Sequence, residues 1–169
     1  MTILGAWLSD RLFGSERVLF YAAVLVMAGH IGLAVFPGYV GLTIGLVLIA
    51  LGAGGVKSNA TSVVGQLYEP GDIRRDAGFS LYYLGINLGA FFGPLLTGLL
   101  QTNYGFHWGF GLAAVGMAFG LTQYTFGRRR LPASTREVPN PLPKNKRINI
   151  LFIAVGAIVV LVVVFALGL

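Results

Sequence analysis

Three polar side chains lie inside long apolar stretches of the sequence, where a binding site would need them. Lys57 lies about four residues past the middle of the stretch 40–66. Asn87 lies near the middle of the stretch 77–100, and Tyr83 precedes it by one helical turn on the same face. In a bilayer an ammonium at this depth costs on the order of 2.5–3.5 kcal/mol, so Lys57 must face a bundle interior or a water-filled cavity. With Asn87 and Tyr83 at similar depth, the three side chains would line one polar cavity that attracts an anion or exchanges a proton.

Each of these residues also has a purely structural explanation. Lys57 would otherwise extend toward the cytoplasmic surface or form an internal ion pair, although no acid lies within the predicted spans. Asn87 would otherwise form an interhelical hydrogen bond, worth about 0.6 kcal/mol on average. His30 lies two-thirds along its predicted span, where a hydrogen-bonded packing histidine is favoured over a proton relay. The sequence has no cysteine and no metal-ligand or Ser-His-Asp arrangement, so it predicts neither a metal, a cofactor nor an enzyme.

The composition and the long apolar stretches indicate that membrane-spanning helices position these side chains. Of 169 residues, 56% are hydrophobic and 11% are charged, against roughly 25% charged in soluble proteins. A soluble domain of this size would be unable to bury so much apolar surface. Stretches of about 20 apolar residues predict membrane-spanning helices, here at residues 18–36, 40–66, 77–100, 107–126 and 148–169. Residues 1–8 are too short to span and are predicted to be the tail of a helix.

The basic residues predict the orientation of the spans. Every Lys and Arg except Lys57 lies in one of three connectors, 9–17, 67–76 and 127–147, and the other connectors have none. Positive loops mark the cytoplasmic side, so we expect these three loops to be cytoplasmic. The net charge of +6 is therefore explained by topology and does not indicate nucleic-acid binding. The arginines at 128–130 are read as a stop at the membrane surface, with contact to anionic lipid head groups as the lesser alternative.

Four motifs resemble those of a transporter family. Residues 5–14 (GAWLSDRLFG) resemble the loop between helices two and three of major facilitator transporters. Residues 52–59 (GAGGVKSN) resemble the fourth helix of the proton-dependent oligopeptide transporters, and residues 74–80 (RRDAGFS) with 82–89 (YYLGINLG) resemble their fifth-helix signature. One departure is Ser58, where this family usually has proline after the lysine.

The resemblance implies an all-α fold, a polytopic transmembrane helical bundle of the major facilitator type that is incomplete. Residues 1–126 would form part of the N-terminal six-helix half, from the tail of helix 2 through helix 6. Residues 127–147 would form a basic, proline-containing cytoplasmic linker, which its prolines predict to be extended. Residues 148–169 would add one further helix, the first of the hairpin between the two halves. The remainder of the transporter would complete the binding site.

The same resemblance implies proton-coupled import of di- and tripeptides across the inner (cytoplasmic) membrane by alternating access. Lys57 would attract the C-terminal carboxylate of the peptide and take part in proton coupling. Asn87 would hydrogen-bond the peptide backbone or its amino end, and Tyr83 would line the same cavity. Asp10 and Arg11 would belong to a cytoplasmic conformational hinge. The expected partners are peptides, protons, the lipid bilayer and the missing remainder of the transporter.

Two other functions are compatible with the residues. One is a carrier of the same family for another small solute such as nitrate. The other is a membrane interaction or regulatory protein that pairs with a full transporter, in which Lys57 and Asn87 would serve contacts between helices.

Overall fold

A computed structural model describes residues 2–143, and the regular structure in that range is entirely helical, as the sequence predicts. A π-helical turn at Ser9–Phe13 joins the first two helices, and two 3-10 turns at Arg128–Arg130 and Ala133–Arg136 follow the last. The predicted helix at 148–169 lies outside the described residues. The five α-helices of the described range are α1 (Thr2–Leu8), α2 (Ser15–Val35), α3 (Gly38–Gln66), α4 (Arg74–Tyr104) and α5 (Phe106–Gly127).

One helix ends and the next begins where the sequence predicts turns. Pro37 separates α2 from α3, and Gly105 separates α4 from α5. By length and hydropathy, α2, α3 and α4 each qualify as membrane spans among the described residues. The helix α5 has 22 residues, but glycines and polar residues dilute its apolar sequence, and it stays a predicted span.

The helices α2 and α3 form the most extensive interface among the described helices, and they pack through small residues. The buried face of α2 repeats every three or four residues, and α3 presents glycines to it. A Cβ atom at Gly52 would lie 2.6 Å from the carbonyl oxygen of Ala22, so only glycine permits this approach. Lipid tails are as apolar as the helix surfaces, so the hydrophobic effect does not drive membrane helices together. Close backbone contact supplies van der Waals packing energy instead. The pair α2–α3 is therefore the most closely packed part of the described bundle.

The helix α4 contrasts with this pair, because none of its residues is buried. Leu81, Phe91 and Leu99 expose 70%, 66% and 55% of their surface. Its main contacts in the described part of the chain are with α5, and its contact with α3 is small. The apolar faces of α4 therefore require lipid or further protein to cover them.

The segment after α5 differs from the extended linker that its prolines predict. Residues 128–136 form two 3-10 turns, and Thr135 is fully buried. Pro132 begins the second turn, and its carbonyl oxygen accepts hydrogen bonds from the amide of Thr135 (3.1 Å) and from its hydroxyl (2.7 Å). The proline thus starts a turn here because its fixed φ suits that position. Beyond Pro139 a second unit begins, and its described residues, 140–143, have neither helix nor strand.

Candidate functional site

Lys57 lies in the second half of α3 with its side chain exposed. Its backbone carbonyl accepts a 3.4 Å hydrogen bond from the hydroxyl of Thr61, one turn later. Within residues 2–143 no carboxylate lies at ion-pairing distance from Lys57. The internal ion pair that the sequence left open is thus not formed in the described part of the chain. The ammonium is left for solvent or a ligand.

One polar contact joins α3 and α4 close in sequence to two of the predicted site residues, Lys57 and Tyr83. The hydroxyls of Thr61 and Tyr82 are 3.4 Å apart. Tyr82 is the neighbour of Tyr83, and the centroids of their rings are 5.5 Å apart. This contact sets the turn of α3 after Lys57 beside the turn of α4 that holds Tyr83. Sequence reasoning missed Thr61 and Tyr82, although Thr61 lies one helical turn after Lys57.

Tyr83 and Asn87 are themselves exposed on α4. Phe79 stacks on Tyr83 with ring centroids 6.4 Å apart, which holds the tyrosine ring along the helix. Among residues 2–143 the structure forms no hydrogen bond that joins Lys57, Tyr83 and Asn87 directly. Lys57, Tyr83 and Asn87 are thus each exposed, and their joint part in one binding site stays a prediction.

Asp10 and Arg11 lie in the π-helical turn between α1 and α2, and both are exposed. The hydroxyl of Ser9 donates a 2.7 Å hydrogen bond to the carbonyl oxygen of Ala6 and lies 3.5 Å from Oδ1 of Asp10. In the described chain neither Asp10 nor Arg11 forms an ion pair. Their charged groups are thus free to contact another part of the protein, and their part in a hinge stays a prediction.

A buried carboxylate that sequence reasoning missed joins two distant segments. Glu16, in the first turn of α2, is 0% exposed. Arg128 donates to both of its carboxylate oxygens, through Nε at 2.7 Å and through Nη2 at 3.2 Å. Arg136 adds a contact of 3.7 Å through its Nε, and its Nη2 donates to the carbonyl oxygen of Arg128 at 2.7 Å. Glu16, Arg128 and Arg136 are called the Glu16 cluster below.

The surroundings of the Glu16 cluster hold it in place. The guanidinium carbon of Arg128 lies 4.1 Å from the ring centroid of Phe20, a favourable cation–π distance. The hydroxyl of Ser15 contacts the carbonyl oxygen of Thr135 at 3.4 Å. Gly14 has a φ of +80°, and a Cβ there would lie 2.7 Å from the carbonyl oxygen of Arg136, so the backbones meet directly. The cluster therefore fastens the segment after α5 to the beginning of α2.

Asn59 is a second buried polar residue that the sequence did not single out. It is 1% exposed, and its Nδ2 donates to the carbonyl oxygens of Gly5 (3.2 Å) and Gly55 (2.9 Å). The amide therefore ties α1 to α3. His30, by contrast, behaves as predicted, since its Nδ1 lies 2.9 Å from the carbonyl oxygen of Val26 on its own helix.

Comparison with known proteins connects this geometry to a family. The family model of the POT family matches residues 16–166. The chain belongs to the POT family. It is 46% identical over 165 residues to "Uncharacterized transporter YclF" of Bacillus subtilis, and 41% identical over 167 residues to "Di-/tripeptide transporter" of Lactococcus lactis subsp. lactis. These alignments include 96% and 98% of this chain and 33% and 34% of the two relatives.

A solved structure gives the same result for the fold. The chain is 48% identical to a mutant of "peptide transporter POT" crystallised in complex with alafosfalin, with a TM-score of 0.89. The match covers 96% of this chain and 34% of that one. The POT chain described here is thus part of a polytopic membrane fold of transporters, and it spans about a third of the length of the relatives it matches.

Proposed function

We propose that the complete protein imports di- and tripeptides by proton-coupled alternating access, and that this chain supplies one wall of the binding site. The observation that carries the proposal is the contact between Thr61 and Tyr82. It joins α3 one turn after Lys57 to α4 one residue before Tyr83, in a chain whose fold matches that of peptide transporters. Transporter sites form near the bilayer midplane between helices that rearrange, which agrees with the depth of these residues.

Each side chain has a role that its chemistry supports. Lys57 attracts the C-terminal carboxylate of the peptide, because a cation at this depth gains most from an anionic partner. The same ammonium participates in proton coupling when the carboxylate leaves. Asn87 supplies a donor and an acceptor for the peptide backbone, and Tyr83 lines the cavity with its phenol. Asp10 and Arg11, exposed in the π-helical turn, contribute to the cytoplasmic hinge.

The rest of the site comes from the part of the protein that this chain does not include. Helix α4, which has no buried residue, packs in the complete transporter against further helices or lipid. The proposed orientation places the loops 9–17, 67–76 and 127–147 on the cytoplasmic face of the inner membrane. Residues 148–169 would add the first helix of the hairpin between the two halves.

The test is uptake of a labelled dipeptide by the native-length protein in proteoliposomes, driven by an inward proton gradient. We expect Lys57→Ala to abolish proton-driven uptake, because the peptide carboxylate loses its cation. Thr43→Ala is the matched control, since Thr43 lies on the same helix, and its hydroxyl bonds only the carbonyl oxygen of Tyr39 in the described structure. Wild-type uptake by the Lys57→Ala variant would refute the assigned role.

Competition separates peptide import from transport of another solute. Unlabelled dipeptides should suppress the signal while nitrate leaves it unchanged. Suppression by nitrate alone would instead support a carrier for a small anion in the same family.

A further inference from the structure

An open groove beside the Glu16 cluster has an unusual charge balance. Its volume is about 590 Å³, and it lies between the beginning of α2 and the end of α5. Its lining includes one acid, Glu16, four arginines and one exposed aromatic residue, Phe126. The arginines are Arg17, Arg128, Arg129 and Arg136. The groove is therefore cationic.

The one acid does not neutralise the groove. The carboxylate of Glu16 is fully buried, and the guanidinium of Arg128 and the more distant Arg136 contact it. Arg17 and Arg129 are exposed and have no carboxylate at ion-pairing distance within residues 2–143. Two guanidinium groups thus face the groove without an anion, and the Glu16 cluster holds the other two arginines at its edge.

The position of the groove indicates what the anion is. The ends of two membrane-associated helices form its walls, so it lies at the level of the lipid head groups. Phe126, at the end of α5, is 79% exposed and offers an apolar surface directly beside the charges. A ligand that joins a phosphate to an acyl chain at this level is a phospholipid. Arginine suits phosphate because its planar group forms paired hydrogen bonds to two oxygens.

We propose that this groove is a binding site for an anionic phospholipid. Arg17 and Arg129 contact the phosphate oxygens, and Phe126 contacts the beginning of an acyl chain. The net positive lining favours a lipid with a neutral substituent on the phosphate, such as phosphatidylglycerol, over one with an ammonium, such as phosphatidylethanolamine. Because the Glu16 cluster fixes Arg128 and Arg136, the groove exists before the lipid arrives, which lowers the entropy cost of binding.

The experiment measures lipid binding directly by native mass spectrometry. The native-length protein is purified, stripped of lipid and titrated with phosphatidylglycerol. We expect a tightly retained lipid whose Kd rises about fivefold in Arg17→Gln and about fivefold in Arg129→Gln. Arg130→Gln is the matched control, since it removes the same charge from the same turn at a residue that does not line the groove. We expect its Kd to equal that of the wild type.

Three results would overturn the proposal. An equal loss of affinity in Arg129→Gln and Arg130→Gln would mean that diffuse charge, not the groove, attracts lipid. If phosphatidylethanolamine bound as tightly as phosphatidylglycerol, the groove would have no preference for an anionic lipid. Displacement of the lipid by millimolar inorganic phosphate would assign the groove to a free phosphate. Both substituted arginines are exposed, so neither change disturbs packing, and Arg129→Gln alone decides the matter if Arg17→Gln fails to fold.

Discussion

The Glu16 cluster allows a quantitative prediction about stability. In the Arg128→Met variant the fully buried carboxylate of Glu16 keeps only the contact of 3.7 Å to Arg136. Breaking a buried ion pair by removing one partner costs about 3–5 kcal/mol, because a charge stays in the interior without compensation. The side chain of Arg128 is 26% exposed in the folded protein, so water reaches the vacated space and partly solvates Glu16. We therefore expect a loss of about 3 kcal/mol, at the lower end of that range.

The relative stabilities of four variants test the role of the Glu16 cluster more sharply than one value does. Glu16→Gln removes the buried charge and leaves an oxygen that still accepts from Arg128, so we expect a loss of about 1.5–3 kcal/mol. The double variant Glu16→Gln with Arg128→Met should be no less stable than Arg128→Met alone, since no uncompensated carboxylate stays behind. Arg136 is 41% exposed on its side chain, so Arg136→Met should have the smallest effect of the cluster.

The assay is unfolding of the native-length protein in mixed micelles, followed by tryptophan fluorescence. Arg130→Met is the control, because Arg130 is exposed and forms no ion pair within residues 2–143. We expect it to change the free energy of unfolding by no more than about 0.5 kcal/mol. A loss below about 1 kcal/mol in Arg128→Met, the value of a surface ion pair, would mean that Glu16 is hydrated and that the cluster does not fasten the segment after α5.

Three further predictions use the same preparation. Gly52→Ala should destabilise the protein by about 1–3 kcal/mol, because its Cβ would lie 2.6 Å from a carbonyl oxygen of α2. Gly32→Ala, whose Cβ would meet only the Cα of Gly45 at 4.0 Å, should be neutral or slightly stabilising in the same unfolding assay. Asn59→Leu should cost about 1–3 kcal/mol, because it removes the hydrogen bonds from Nδ2 to the carbonyl oxygens of Gly5 (3.2 Å) and Gly55 (2.9 Å) and to the hydroxyl of Ser58 (3.1 Å); an unchanged free energy of unfolding would disprove the tie between α1 and α3. Hydrogen bonds from Arg74 hold the pKa of Asp72 below its ordinary value, so their stabilisation is present above about pH 4 and is lost as the pH falls through the lowered pKa. Amide exchange at the start of α4, corrected for intrinsic rates, should then increase on acidification, and Asp72→Asn should remove that dependence.

Much of the fold was predictable because a bilayer leaves few choices. Long apolar stretches in lipid must be helical to satisfy their backbone hydrogen bonds, so the helices α2, α3 and α4 begin and end within four residues of the predicted spans. Proline and glycine at 37 and 38 interrupt the apolar sequence, and α2 ends and α3 begins there. The segment after α5 was not predictable in the same way, because Pro132 favours an extended chain and the start of a turn equally well.

Some residues of the candidate site were likewise predictable from the sequence, and others were not. Lys57 stands out from the sequence because a cation is costly inside a membrane wherever the chain folds around it. Asn87 and Tyr83 follow from helical spacing, which is local. Thr61 and Tyr82 do not stand out, because their importance lies in a contact across 21 residues, 3.4 Å between hydroxyls on different helices.

What the sequence by itself determined is the class of the protein: a helical membrane protein with cationic loops on one side and a polar group at the midplane. These properties depend on composition and on periodicity over one or two turns. What only the tertiary structure decided is which polar groups pair. Glu16 meets Arg128 across 112 residues, and Asn59 meets Gly5 across 54. The physical reason is that a buried charge or amide requires a partner but does not specify one. The packing of α2 against α5 brought the first pair within hydrogen-bonding distance, and the packing of α1 against α3 brought the second.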